Sequence, residues 1–242
     1  MSGVIFVVNY KNECTHYSAH RERNQMVGLR ERQKVVREKR ILESASMLFK
    51  RDGYDKTRME DIADLAEVST GTTYNYYESK ADILIAVVSM EVEEILIAGK
   101  LLIEGPLSSV EETLNALVAL YYEHSLVYLN KEMWRMAMSF SIQRPQTTFS
   151  QRYALLDQRI SMQVVSLIET FQDKNMIINH LDHQALGEII FNNLNSMFTE
   201  FVKSNEMTID ELKRTVARQM APLMSCIIKH KTGVLKPIQN HV

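Results

Sequence analysis

Disulfide chemistry has little to work with in this chain. Cys14 and Cys226 are its two cysteines, and they stand far apart, in no spacing that holds zinc or frames a disulfide scaffold. That usage suits a reducing cytoplasm, where the protein is expected to reside. Glycine and proline are scarce, 8 and 4 among 242 residues, too few for the turn every ~8–12 residues that a many-stranded β fold demands. No stretch approaches the ~18 consecutive apolar residues of a membrane-spanning helix, and the apolar run at residues 4–8 lacks the basic flank and length of a signal-peptide core. No membrane partner is expected. The formal net charge of -2 excludes a general polycation. No nucleophile motif, glycine-rich phosphate loop or paired-carboxylate site is present, so neither an enzyme nor a cofactor is expected. His180 and His183 stand three apart without further ligands nearby, and no metal is expected either.

What remains is ordinary globular material, 45% hydrophobic and 24% charged, in a chain long enough to bury a core. Helices are the economical reading. Charge is unevenly spread: between Arg21 and Arg58 basic residues outnumber acidic ones, so the positive excess sits at one end. Residues 1–25 show no helical periodicity and read as a floppy arm, or as upstream sequence if Met26 is the start. From residue 34 to 51, Ile41, Ala45, Leu48 and Phe49 form the stripe of an amphipathic helix that Gly53 stops. A capping box of Thr57 and Glu60 is predicted to open a second helix carrying Met59, Ile62, Ala63 and Ala66. Ser69 then caps a third, short helix, and Ser79 with Asp82 caps a fourth. Short helices joined by tight turns are the grammar of a helix-turn-helix unit.

The third helix holds an unusual composition, TGTTYNYY over residues 70–77. At ~100° per residue, Thr73 and Tyr77 fall on one side, toward the body of the protein, while Thr70, Gly71, Tyr74 and Asn75 share the other, flanked by Thr72 and Tyr76. Such a face is short-chained at its start and can enter a groove about 12 Å wide, with hydroxyls and a lysine, Lys80, placed for phosphates. On residues alone a helical hairpin with packed tyrosines remains open.

The segment ILESASMLFKRDGYDKTRMEDIADLAEVSTGTTYNYYESKADIL, within residues 35–85, resembles the DNA-binding domain of the tetracycline-repressor (TetR) family. The first helix ends in Phe and Gly-Tyr, Thr precedes the second, the IA..A..VS.GT.Y.Y pattern forms the middle, and Ser-Lys precedes the fourth. The resemblance implies an all-α fold: an N-terminal three-helix helix-turn-helix DNA-binding domain plus a C-terminal helical ligand-binding and dimerisation domain. It implies groove-entering or base-reading positions for Thr70, Gly71, Thr72 and Asn75, and phosphate contacts for Tyr74, Tyr76, Lys80, Thr57 and Arg58. Two residues depart from the family pattern. Glu67 stands where glycine is frequent, at a cost on the order of 1 kcal/mol if the turn needs positive φ; Thr73 replaces a large aliphatic residue.

Four segments are expected: an arm over residues 1–33, the DNA-binding domain over 34–79, an effector-binding and dimerisation domain over 80–232, and a tail over 233–242. Helices are predicted over 80–103, 110–129, 150–172, 183–203 and 208–231, with a short methionine-rich one before Pro145 and a kink or stop at Pro222. Leu186, Ile190, Leu194, Met197 and Phe201 on one helix, with Leu212, Val216, Met220 and Leu223 on the next, are expected to pair two subunits; burial within one subunit stays open on residues alone. In YYEHSLVYLNKEMWRMAMSF, the residues Tyr121, His124, Tyr128, Met133, Trp134 and Met138 are the expected effector site, mixing aromatic and polarizable surface with hydrogen-bonding tips. The expected protein is thus a dimeric repressor on a palindromic, double-stranded DNA operator, released by an unidentified small-molecule effector. The alternative is a helical-bundle enzyme or ligand carrier that ignores DNA.

Overall fold

The computed structural model describes the backbone of residues 13–229 and the side chains of residues 28–229. The start of the expected arm and the tail over 233–242 lie outside the described residues. Among those described, nine helices follow in order: α1 (Glu13–Asp52), α2 (Met59–Leu65), α3 (Thr70–Tyr76), α4 (Lys80–Glu104), α5 (Val110–His124), α6 (Lys131–Gln143), α7 (Thr148–Asp173), α8 (His183–Lys203) and α9 (Ile209–Ile227). The only strand-like pairing among the described residues is an isolated bridge between Ile177 and Ile228, which ties the α7–α8 loop to the end of α9.

α1 begins at Glu13, so residues 13–33 are helical where an arm was expected. Residues 28–37 are exposed all round. A helix with no packing partner in its own chain needs no apolar stripe, and periodicity therefore could not reveal it. The packed half follows the predicted stripe, with Ile41, Ala45, Leu48 and Phe49 buried. α1 terminates at Gly53, whose φ of +89° is the left-handed turn that glycine supplies freely. The carbonyl left over at that stop accepts the Thr57 hydroxyl at 2.9 Å. Thr57 is thus no N-cap, and the predicted box shifts by one residue: the Arg58 N–H donates to the Asp61 carboxylate at 2.9 Å, while Glu60 pairs with Arg58 Nε at 3.3 Å.

Between α2 and α3 the chain turns on Glu67, whose φ of +52° is the strained conformation anticipated for a non-glycine residue. Arg40 of α1 holds the Glu67 carboxylate at 2.6 Å. Ser69 and Ser79 cap α3 and α4 as predicted, accepting from the Thr72 and Asp82 N–H groups.

α4 packs against α1 on one side and against α5 and α7 on the other, and α7 lies along α8. Gly187 makes that last approach possible: a Cβ there would sit 2.6 Å from the Val165 Cα. α5 stops at His124, short of the predicted 129, because the Val127 N–H turns back to the His124 carbonyl and Asn130 caps α6. α9 runs five residues beyond Pro222. That proline is exposed, and of the kink or stop predicted there the stop does not occur.

Candidate functional site

The sequence-derived face of α3 is present as geometry. Thr73 and Tyr77 are buried beneath the helix, the Tyr77 hydroxyl donating to the Glu38 carboxylate at 3.1 Å. On the opposite side Gly71, Tyr74 and Asn75 are exposed, with Thr70 and Thr72 half-buried at the edge. A Cβ built on Gly71 would meet only the Ser69 hydroxyl, at 4.0 Å. Nothing in the chain itself therefore requires glycine there, and the small residue leaves room for something outside.

Several residues expected at phosphates are otherwise occupied. Thr57 is buried with its hydroxyl donated to Gly53. The Tyr76 hydroxyl donates to the Lys34 carbonyl at 3.2 Å, pinning α3 to α1. Lys80 donates to the Tyr54 and Asp55 carbonyls at 2.8 and 3.1 Å and lies 4.7 Å from the Tyr54 ring centre, so two of its three protons stitch α4 to the α1–α2 loop. Tyr74 and Arg58 reach outward. In their place the fold brings three basic side chains of α1. Arg30, Lys34 and Arg37, with Gln33, line one shallow groove with Asn75 and Tyr76. Their spacing of four and three puts them on one helical face; Lys34 and Arg37 fall within the helix predicted over 34–51, whereas Arg30 lies before it.

The second site is a cavity of about 80 Å³ lined by residues of α4, α5, α6, α7 and α8. Of the six residues expected at an effector, Tyr121 and Trp134 line it. The other four do not, because α5 ends at His124 and the helical spacing on which they were read breaks down. Met133 is buried in the core, and Met138 lines an outer groove with Arg135 and Lys203. His124 and Tyr128 form a polar brace behind the wall. The His124 Nδ1 lies 2.5 Å from one Glu91 oxygen, the Tyr128 N–H donates to the other at 2.9 Å, and the Tyr128 hydroxyl donates to Glu94 at 2.9 Å. Burial raises the Glu91 carboxyl, opposed by these hydrogen bonds. Missed by the sequence reading were Tyr122, Tyr153, Asp157, Phe191, Asn195 and Phe198, which also line the cavity. Tyr153 and Asp157 are four apart on α7, as are Phe191 and Asn195 on α8, a spacing common to every packed helix and so without a distinguishing signal.

The loop between α5 and α6 connects this cavity to α1. Ser125 lines the cavity and its carbonyl accepts from Trp134 Nε1 at 2.7 Å. A few residues on, the Tyr128 carbonyl accepts from Ser46 at 2.5 Å, and the Leu126 and Val127 carbonyls accept from Lys50 at 3.1 and 2.9 Å.

Of the expected subunit contacts, Leu186, Ile190, Leu194, Phe201, Leu212, Val216 and Met220 are buried within this chain, while Met197 and Leu223 stay half-exposed. The breadth of the apolar surface on α8 reflects its contacts with both α7 and α9 in the same subunit.

Comparisons with known proteins agree with these features. Residues 41–87 match the family described as bacterial regulatory proteins, tetR family. The transcriptional repressor KstR of Rhodococcus jostii is 38% identical over 64 residues, which span 26% of this chain and 30% of that protein. Among solved structures, one described as a TetR-family transcriptional regulator from Mesorhizobium loti superposes with a TM-score of 0.64 at 21% identity, over 80% of this chain and 97% of its own. FadR of Bacillus subtilis, solved with stearoyl-CoA, superposes with a TM-score of 0.56 at 18% identity, over 75% and 96% of the two chains. These are regulators, and the enzyme or carrier alternative finds no support among them. Among the described residues no helix is long and apolar enough to cross a membrane. Residues 41–87 thus carry the pattern of the tetR family of bacterial regulatory proteins, and the fold is shared with solved structures described as TetR-family regulators.

Proposed function

We propose that this protein is a homodimeric transcriptional repressor that docks α3 in the major groove of a palindromic operator and releases it when a small, largely apolar molecule fills the inner cavity. The observation that carries this reading is the exposed, small-headed face of α3 beside the basic row Arg30, Lys34 and Arg37. Thr70, Gly71, Thr72 and Asn75 meet base edges, and Tyr74, Arg58 and the α1 row meet the phosphates. Residues up to about 79 serve DNA and those beyond serve the effector and the partner subunit, with α4 as the shared strut.

The similarity to KstR supports the repressor reading for the matched segment. FadR, which shares the fold, was solved with stearoyl-CoA, a molecule with a long apolar acyl chain. Two recognition helices must meet grooves about 34 Å apart, so a modest tilt misaligns both. An effector favouring the DNA-incompetent form by ~100-fold supplies about 2.7 kcal/mol toward release. The second copy docks on residues other than those buried in the subunit; the outer side of α8 and α9, with Ile189, Met197 and Leu223 accessible, is the remaining apolar choice there.

Salt dependence of DNA affinity tests the carrying observation. Each phosphate neutralised adds about 0.9 to the slope of log K against log salt. Lys34→Ala or Arg37→Ala is expected to flatten that slope by about one per subunit, while Asn75→Ala changes sequence preference and leaves the slope alone. An unchanged slope in both basic variants would remove α1 from the interface.

A further inference from the structure

The chemistry of the cavity wall restricts what can enter. Its lining contains two carboxylates, Glu91 and Asp157, and no lysine, arginine or histidine. Glu91 is already occupied by His124 and the Tyr128 N–H. Asp157 has neither a hydrogen-bond donor nor an ion-pair partner among the described residues, and burial alone pushes its carboxyl up to about 6. The basic side chains of the adjoining outer groove are spent elsewhere. Arg135 donates to the Val202 carbonyl at 2.5 Å, and Lys203 pairs with Glu200 at 2.8 Å.

Four donors of the wall are spent as well, while the Tyr153 hydroxyl and the Asn195 amide have no acceptor among the described residues. Tyr121 donates to Gln163 at 2.7 Å, Tyr122 to the Leu194 carbonyl at 3.0 Å, Trp134 to the Ser125 carbonyl at 2.7 Å and Ser125 to the Tyr122 carbonyl at 2.8 Å. What these residues offer the cavity is ring surface. Phe198 stacks on Tyr122 with centroids 6.1 Å apart and takes the Trp134 ring edge-on at 5.1 Å. Aromatic faces attract cations and give nothing to anions. A neutral apolar ligand would seal Asp157 from water without a partner, which costs free energy, whereas an anion would add repulsion to that cost.

We infer that the cavity selects an organic cation, a protonated amine or quaternary ammonium on an apolar body, with Asp157 as its counter-ion and the Tyr122, Trp134 and Phe198 rings as its walls. The inference rests on the cavity being the effector site.

Trp134, the single tryptophan of the chain, lines the cavity and reports occupancy through its fluorescence. The full-length protein is titrated with benzyltrimethylammonium, with neopentylbenzene, which has the same shape with carbon in place of the charged nitrogen, and with phenylacetate. Binding of the cation about tenfold tighter than its neutral twin, with phenylacetate weakest, is expected. Asp157→Asn, isosteric and relieved of a buried charge, is expected to abolish that preference while leaving the affinity for neopentylbenzene in place. A neutral or anionic probe binding as tightly as the cation, or a preference that survives Asp157→Asn, overturns the cation inference and leaves the cavity as a ligand site. If none of the three probes alters Trp134 emission, the effector reading of the cavity falls with it.

Discussion

Thr73 sits fully buried on the inner side of α3, and its hydroxyl has no hydrogen-bond partner. A buried hydroxyl without a partner loses its water and gains nothing in return, so Thr73→Val, which keeps the shape and removes the oxygen, is expected to stabilise the protein by about 1 kcal/mol. For a chain of this length that is a rise in Tm of about 2–4 °C in a calorimetric scan; a fall in Tm would mean the hydroxyl is satisfied after all. Asp157 carries a cost of another kind. Its folded pKa of about 6 lies above the ordinary 3.8, so between those values the native chain holds a proton that the unfolded chain has released. Stability therefore falls as pH rises through this window. Asp157→Asn is expected to raise Tm above pH 6, with the advantage shrinking to nothing near pH 4. An advantage independent of pH would point to packing rather than charge.

Elements whose signals are local were legible in the sequence. Ser69, Ser79 and Thr208 cap their helices because a side-chain oxygen and an N–H two or three residues on decide the matter between them. The Thr57 box is displaced by one residue, because α2 opens at Met59 with Arg58 as its N-cap and Asp61 as the returning carboxylate, while the Thr57 hydroxyl donates to the Gly53 carbonyl. The exposed face of α3 was readable for the same reason as the caps, since seven residues around one helix separate cleanly into two sides. The cavity was not: Tyr122, Asp157 and Phe198 come from three helices, and no spacing along the chain joins them. The α5–α6 loop broke the one stretch that looked continuous. That loop also carries an element-scale expectation. Lys50 and Ser46 hold it to α1 while Ser125 and Trp134 hold it to the cavity. Lys50→Ala is expected to leave the affinity for DNA of the ligand-free protein within about twofold, yet weaken the effector's release of DNA several-fold, since coupling between sites is typically worth 1–3 kcal/mol. Equal ligand response in parent and variant, measured by fluorescence anisotropy on labelled DNA, would route the coupling elsewhere.

On the scale of the whole molecule, a net charge of -2 conceals a basic end and an apolar, acid-lined interior chamber. The two ends share α4, whose first residue stitches it to the α1–α2 loop and whose middle, from Val88 to Ile95, forms one wall of the cavity. Under the proposed function, α4 is the element through which a change in the chamber would reach α1–α3. The proposed second copy would supply a second α3, since one short helix reads too few base pairs to find an operator among many competing sites. The apolar breadth of α8 does not by itself count subunits, because a helix packed on two neighbours is apolar over a wide arc whether or not a second copy exists.

The most direct test of the account is a selection from random double-stranded DNA by the full-length protein. Enrichment of a two-fold symmetric sequence with half-sites about one helical turn apart, or a multiple of it, is predicted, with the preferred bases altered by Asn75→Ala. Recovery of no sequence above background, or of an asymmetric site untouched by that substitution, would contradict it.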